Sequence, residues 1–202
     1  MAVSTRRGFC AALALAPWYA PTLAQAAADP ETRKMLLSRF DVEPDYIAPG
    51  MRWRGFSDRV MGGVSDAQLT RAVVDGKPCI RLAGRVTTDS GGGFIQMALD
   101  LGGERGSLDA SGYAGIELLV HGNNESYNVH LRTPDCRWFD HSYRLSFDAP
   151  PEWRRLRFPW SRFAPNGIDA PLDTARLERV AVLGWMRKFD ADIALAEISL
   201  YA

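Results

Sequence analysis

The sequence predicts an all-β protein: a two-sheet β-sandwich of jelly-roll type, preceded by a short N-terminal helix. Three observations carry this expectation. From Met51 onward, apolar and polar residues alternate in short runs. Gly, Pro, Asn and Asp punctuate those runs, and little helical periodicity lies between them. An apolar share of 47% and a charged share of 24% over 202 residues fit one folded domain behind a leader.

Residues 1–26 read as an export signal. Arg6-Arg7 is followed by a weakly apolar stretch from Cys10 to Leu23 and a small-residue site, Ala24-Gln25-Ala26; the first acidic residue is Asp29. Paired arginines give it twin-arginine character. The expected location is therefore periplasmic or exported, with a mitochondrial presequence as the alternative, since that too is arginine-bearing and acid-poor. The apolar run, broken by Pro17 and Pro21, is shorter than the roughly 20 residues that cross a bilayer. No other stretch is a transmembrane candidate. Of 24 basic residues, removing Arg6 and Arg7 leaves 22 against 24 acidic ones, a net of −2. Such a balance lacks the positive footprint of a nucleic-acid binder.

Residues 27–50 form the helix and lead-in. Asp29 stands as N-cap, Pro30 as first helical residue, and Met35, Leu36, Leu37 and Phe40 as a loose apolar stripe that Pro44 ends. Residues 51–202 form the sandwich. Ile116, Leu118 and Val120 alternate with polar neighbours, as do Tyr127, Val129 and Leu131, and Gly122 to Glu125 lies between. This predicts a hairpin pairing Val120 with Tyr127, Leu118 with Val129 and Ile116 with Leu131, and setting Glu117 opposite His130. Further strands are expected over 69–74, 79–86, 94–99, 143–147, 154–158, 179–184 and 193–200. The last run changes phase after Leu195, as a bulge or burial on both faces would require.

Catalytic signals are weak. The three histidines show no metal-ligand spacing, no cofactor motif is present, and there is no G-x-S-x-G elbow. Gly91-Gly92-Gly93 leads into a strand and not a helix, so it reads as a turn and not a phosphate loop. Cys79 and Cys136 are expected as free thiols. The chain is expected not to be an enzyme, with no catalytic residue, metal or cofactor.

Two loops stand out as candidate binding sites. In the first, Asp58, Arg59, Met61, Gly62, Gly63 and Ser65 combine a polar rim with a flexible apolar side chain and a glycine-shaped backbone. The same residues also fit a structural role, with Asp58 and Ser65 bonding the loop and Met61 plugging the core. In the second, Arg132, Asp135 and Trp138, with Asp140 and His141 beyond, hold the inventory of a sugar site: an apolar ring face beside hydroxyl-binding groups. Trp153 and Trp160 are expected in the core.

The run from Phe56 to Ser65 also resembles the signature of the NADH:ubiquinone oxidoreductase complex I intermediate-associated protein family. Gly92-Gly93-Phe94, Tyr127 to Thr133 and Trp153 to Phe163 follow in the family's order, so the resemblance covers most of the chain from about Trp53 onward. It implies a galactose-binding-domain-like sandwich. It also implies a non-catalytic, assembly-factor or chaperone-like role, with a protein partner such as a subunit of a membrane respiratory or photosynthetic complex. The leader is a departure, because an exported form points to the envelope instead. The alternative is a carbohydrate-binding module of the cell envelope.

Overall fold

The computed structural model describes Met1 and residues 33–103 and 106–202. The export-signal expectation for residues 1–26 and the helix start at Asp29 lie outside the described residues, Met1 aside. Among those described, the strands in chain order are β1 (Lys34–Arg39), β2 (Tyr46–Ile47), β3 (Arg52–Ser57), β4 (Gln68–Val74), β5 (Lys77–Val86), β6 (Phe94–Asp100), β7 (Gly115–His121), β8 (Glu125–Arg132), β9 (Ser142–Ala149), β10 (Arg154–Pro159), β11 (Ala164–Asn166), β12 (Arg179–Trp185) and β13 (Phe189–Tyr201).

They form two antiparallel sheets. Sheet one has the order β10-β7-β13-β1-β2, with β5 also on β13 and β4 on β5; sheet two runs β11-β9-β8-β12-β6-β3. β13 is long enough to serve two partners on one side. Its first half pairs β5 and its second half pairs β1. The phase change read in this segment is a register shift between Leu195 and Glu197, a bulge that lets apolar residues on either side of it point inward. Ile116, Leu118 and Val120 from sheet one meet Tyr127, Val129 and Leu131 from sheet two in one continuous core. Among the described residues no helix is long and apolar enough to cross a membrane.

Two expectations are corrected. Residues 34–39 are a strand, not a helix, and pair with the end of β13. A register shift between Leu36 and Ser38 puts Leu37 and Ser38 both out of solvent, which mimics a helical spacing in the sequence. Docking on an open strand edge overrides local propensity here. The second correction concerns the hairpin. β7 pairs β10 and β13, while β8 pairs β9 and β12. The segment between them is an arch from one sheet to the other. Alternation identified the inward faces correctly, but inward residues on two strands can meet across a sandwich as well as beside each other. Glu117 and His130 accordingly lie on opposite outer faces.

The outer face of sheet one is closed by its own side chains. Trp153 packs there, with Cys79, Ala194 and Ala196, and not in the main core as expected; Trp160 does pack on the main core. Cys79 and Cys136 are buried free thiols. Glu117 is only 2% exposed, yet Lys34 from β1, beyond β13, and Arg155 and Arg157 from the neighbouring β10 reach it at 2.8, 2.7 and 2.7 Å. Lys34 and Arg155 also hold Glu197, at 2.5 and 2.8 Å. Burial works to raise the Glu117 pKa, but these three cations outweigh it and bring it down to about 2 from 4.5. A carboxylate with a lowered folded pKa stabilises the fold above its unfolded value, and that contribution fades as pH falls toward the folded one.

Glu117→Gln should therefore destabilise the protein by about 3 kcal/mol at neutral pH, because it removes the buried acid that three cations share and leaves Glu197 to hold two of them. In urea denaturation series, the gap from wild type should narrow between pH 4.5 and 2, the window set by the two pKa values.

Candidate functional site

Period-two alternation gives sheet two an outer face as well as an inner one. Reading across β9, β8, β12 and β6, the register sets Arg144, His130, Ala181 and Ala98 in one row. The row on one side holds Leu183 and Gln96, followed at its end by the pair Trp185 and Phe94. An outward face of an antiparallel sheet is normally polar and wet. Here Ala98, Ala181 and Leu183 are fully buried, with Phe56 and Trp185 packed on them. Loops and long side chains rise around this small-residue floor. The result is an open cleft of about 730 Å³.

One wall is the first candidate loop. Asp58 is 1% exposed and collects four donors. Its Oδ1 accepts from the Ser65 N–H at 2.9 Å, and its Oδ2 from the Ser65 hydroxyl at 2.5 Å, Gly93 N–H at 2.6 Å and Phe94 N–H at 3.3 Å. Burial would raise its pKa, but these bonds prevail and hold it below the ordinary value. Two glycines make the approach feasible. A Cβ on Gly63 would lie 2.3 Å from Asp58 Cγ, and one on Gly92 2.3 Å from Asp58 Oδ2. Gly62 ends the short 3₁₀ turn of Asp58–Met61 in the left-handed region, at φ 90°. Arg59 turns back on the loop, donating from Nε to the Ser65 carbonyl at 3.0 Å. Val60 and Met61 project into solvent at the mouth of the cleft, so Met61 does not plug the core.

The second candidate loop forms the opposite wall, and a cation organises it. Arg132 donates to the carbonyls of Cys136, His141, Trp138 and Phe139 at 2.6, 2.7, 3.1 and 3.2 Å. Phe139 then stands 73% exposed at the cleft mouth. Asp135 faces Arg176 at 3.4 Å instead. Trp138 is 66% exposed but is not part of the cleft lining. The structure thus brings Asp58, Met61 and Arg132 to one cleft, while Arg59, Gly62, Gly63, Ser65, Asp135 and Trp138 lie behind or beside its walls.

Sequence reasoning missed the floor. Trp185 has Phe94 at 6.0 Å, His130 at 5.0 Å and the Arg144 guanidinium 4.7 Å over its ring. His130, expected opposite Glu117, is instead 8% exposed beside Trp185, and its Nε2 has no hydrogen-bond partner among the described residues. Burial, then the charges of Arg144 and Arg132, lower its pKa to about 3, so the ring is neutral near pH 7. Met186 completes the rim, its N–H bonded to the Gly93 carbonyl at 2.6 Å. The available signal was apolar residues at outward positions: Ala181, Leu183 and Trp185 alternate against the inward Val180 and Val182. Among the described residues no group of His, Cys, Asp and Glu is placed to hold a metal ion.

Comparison with known proteins places this fold. A family model described as complex I intermediate-associated protein 30 matches residues 45–190. Among solved structures, the family 11 carbohydrate-binding module of the cellulosomal cellulase Lic26A-Cel5E of Clostridium thermocellum superposes with a TM-score of 0.64 at 13% identity, covering 84% of this chain and 95% of that one. A family 30 carbohydrate-binding module gives 0.59 at 14% identity, over 85% and 89% of the two chains. A family 29 module gives 0.51 at 8% identity, over 83% and 87%. At these identities the likeness is one of fold. No curated protein matches.

Two outcomes test this geometry. Gly63→Ala should cost about 2–3 kcal/mol in denaturant unfolding, since the methyl must displace a buried, fully bonded carboxylate. For His130, a folded pKa below the unfolded 6.5 means stability is lost as pH falls from 6.5 toward 3. His130→Gln should flatten the stability-against-pH curve between pH 6.5 and 5, where carboxylates have yet to titrate.

Proposed function

The chain belongs to the complex I intermediate-associated protein 30 family, and from that premise we propose that it is a non-catalytic binding module whose cleft receives a polypeptide segment of a partner. The role is that of an assembly or folding helper for a membrane or envelope complex. Because residues 1–26 read as an export signal, we place that role in the cell envelope.

The observation that carries this reading is the rim. Val60, Met61, Phe139 and Met186 are large, exposed and apolar, and all four line the mouth of one cleft. Apolar side chains gathered around a recess mark an interaction site, and methionine adapts to varied apolar partners. A carbohydrate occupant would need a free ring face on the cleft floor to stack on. Arg144 covers Trp185 there, Trp138 stands outside the cleft, and the exposed ring that remains, Phe139, stands at the mouth among aliphatic side chains. That weighs toward a polypeptide.

Affinity capture from solubilised native envelopes tests the proposal, comparing the full wild-type chain with a Phe139→Ser/Met186→Ser double variant. Both residues are exposed, so the fold should survive. Partners retained by wild type should fall about tenfold or more on the variant, as expected when central apolar contacts are lost. Unchanged partner lists, or wild-type binding to a glycan array that the double variant preserves, would count against it.

A further inference from the structure

The cleft holds three arginines that differ in how their charge is met. Arg179 pairs with Asp100 at 2.7 Å, as does Arg54 just beside the cleft, and Arg132 is wrapped by backbone carbonyls. Arg144 has no such closure. Its Nε donates to Ser142 Oγ at 2.7 Å and its Nη2 to the Asp140 carbonyl at 2.7 Å. Its remaining nitrogen, Nη1, has no acceptor among the described residues, and no carboxylate of theirs lies within 4.0 Å of the group. One face of the guanidinium rests on the Trp185 ring.

We infer that Arg144 is the carboxylate-binding subsite of the cleft, taking an aspartate or glutamate side chain of the bound polypeptide; this rests on the reading proposed above. A guanidinium held by two neutral acceptors and a ring has already given up the rotamer freedom that binding would cost. Its free edge suits a carboxylate, and charge-assisted bonds of this kind are roughly twice as strong as neutral ones. Desolvation by burial already disfavours the charge on Arg144, with Asp140 as the nearby acid opposing that effect. An arriving carboxylate supplies the missing counter-charge. Ala181 and Leu183 lie on the floor beyond His130, and Met61 on the rim, so the residue flanking the acid should be aliphatic. Asp140 is exposed and close enough to be felt electrostatically, and it should compete with the ligand for Arg144.

The probe is a blocked pentapeptide with a central glutamate between leucines, set against its glutamine twin and a glucuronate oligosaccharide. Each is titrated into the full chain, following the Arg144 Nε–H and Trp185 indole N–H resonances by NMR. The glutamate peptide should move both signals and bind about tenfold more tightly than the glutamine twin. Arg144→Gln should erase that difference, and Asp140→Asn should strengthen glutamate binding. Should Arg144→Gln fail to fold, Asp140→Asn and the twin peptides decide alone. If the two peptides bind alike while Arg144 stays unmoved, the subsite is overturned and the polypeptide reading stands. If only the oligosaccharide shifts the signals, both are overturned. No movement of Arg144 with any probe at millimolar concentration overturns the subsite, leaving capture from envelopes to judge the broader reading.

Discussion

A carboxylate that is 1% exposed must find hydrogen-bond donors inside the protein, and Asp58 finds them on two segments: the serine that closes its own loop, and the start of β6. Ser65 extends the tie by accepting the Thr87 N–H at 3.0 Å, beyond the end of β5. The glycine-rich sequence on both sides follows from this charge, because backbone can crowd a buried carboxylate only where no Cβ intervenes. Across the cleft Arg132 does the converse, drawing four carbonyls inward. One anion gathers N–H groups and one cation gathers C=O groups. Each turns an irregular segment into a wall of defined shape, and the apolar side chains on those walls are held outward as a consequence.

The two outer faces of the sandwich are finished differently. On sheet one, Glu117 and Glu197 sit within a lattice of Lys34, Arg155 and Arg157, and Trp153 covers the small residues beside it. Its central acids and cations are matched to one another and its aromatic is packed. On sheet two the floor is buried yet incompletely satisfied. A neutral His130 with an unpartnered Nε2 costs about 1–3 kcal/mol, and the half-buried Arg144 has no acid in contact among the described residues. Natural proteins break such local rules chiefly at functional sites, which supports the binding role proposed for this face.

Much of this fold was legible because alternation reports which side of a strand is buried. The strands over 94–99, 143–147, 154–158 and 179–184 stand within about two residues of their expected limits, and the bulge in β13 follows from its phase change. Partner choice was not legible at Val120 and Tyr127, since alternation is blind to whether an inward residue meets a neighbour in its own sheet or one opposite. Nor was β1, whose consecutive buried Leu37 and Ser38 imitate a helix through a register shift imposed by β13. At the cleft, both wall loops were conspicuous from glycine and charge. The floor was not, because Arg144, His130, Ala181 and Trp185 come from three strands scattered through the chain and become a group only through the register.

The likeness to carbohydrate-binding modules concerns the frame, and a frame is compatible with many ligands. What discriminates is the state of the aromatic surface inside the dish. A stacking platform for sugar requires a ring with one face open. Trp185 instead has a guanidinium over it, the His130 ring edge-on and the tilted Phe94 ring alongside. Swinging Arg144 away would expose the ring, but would break its bonds to Ser142 and Asp140 and return a charged group to solvent at the loss of its cation–π contact. The arrangement favours leaving Arg144 in place and satisfying its free edge. A ligand that brings its own anion and aliphatic side chains gains from the groups already fixed there, whereas a neutral sugar must first displace Arg144 from the ring.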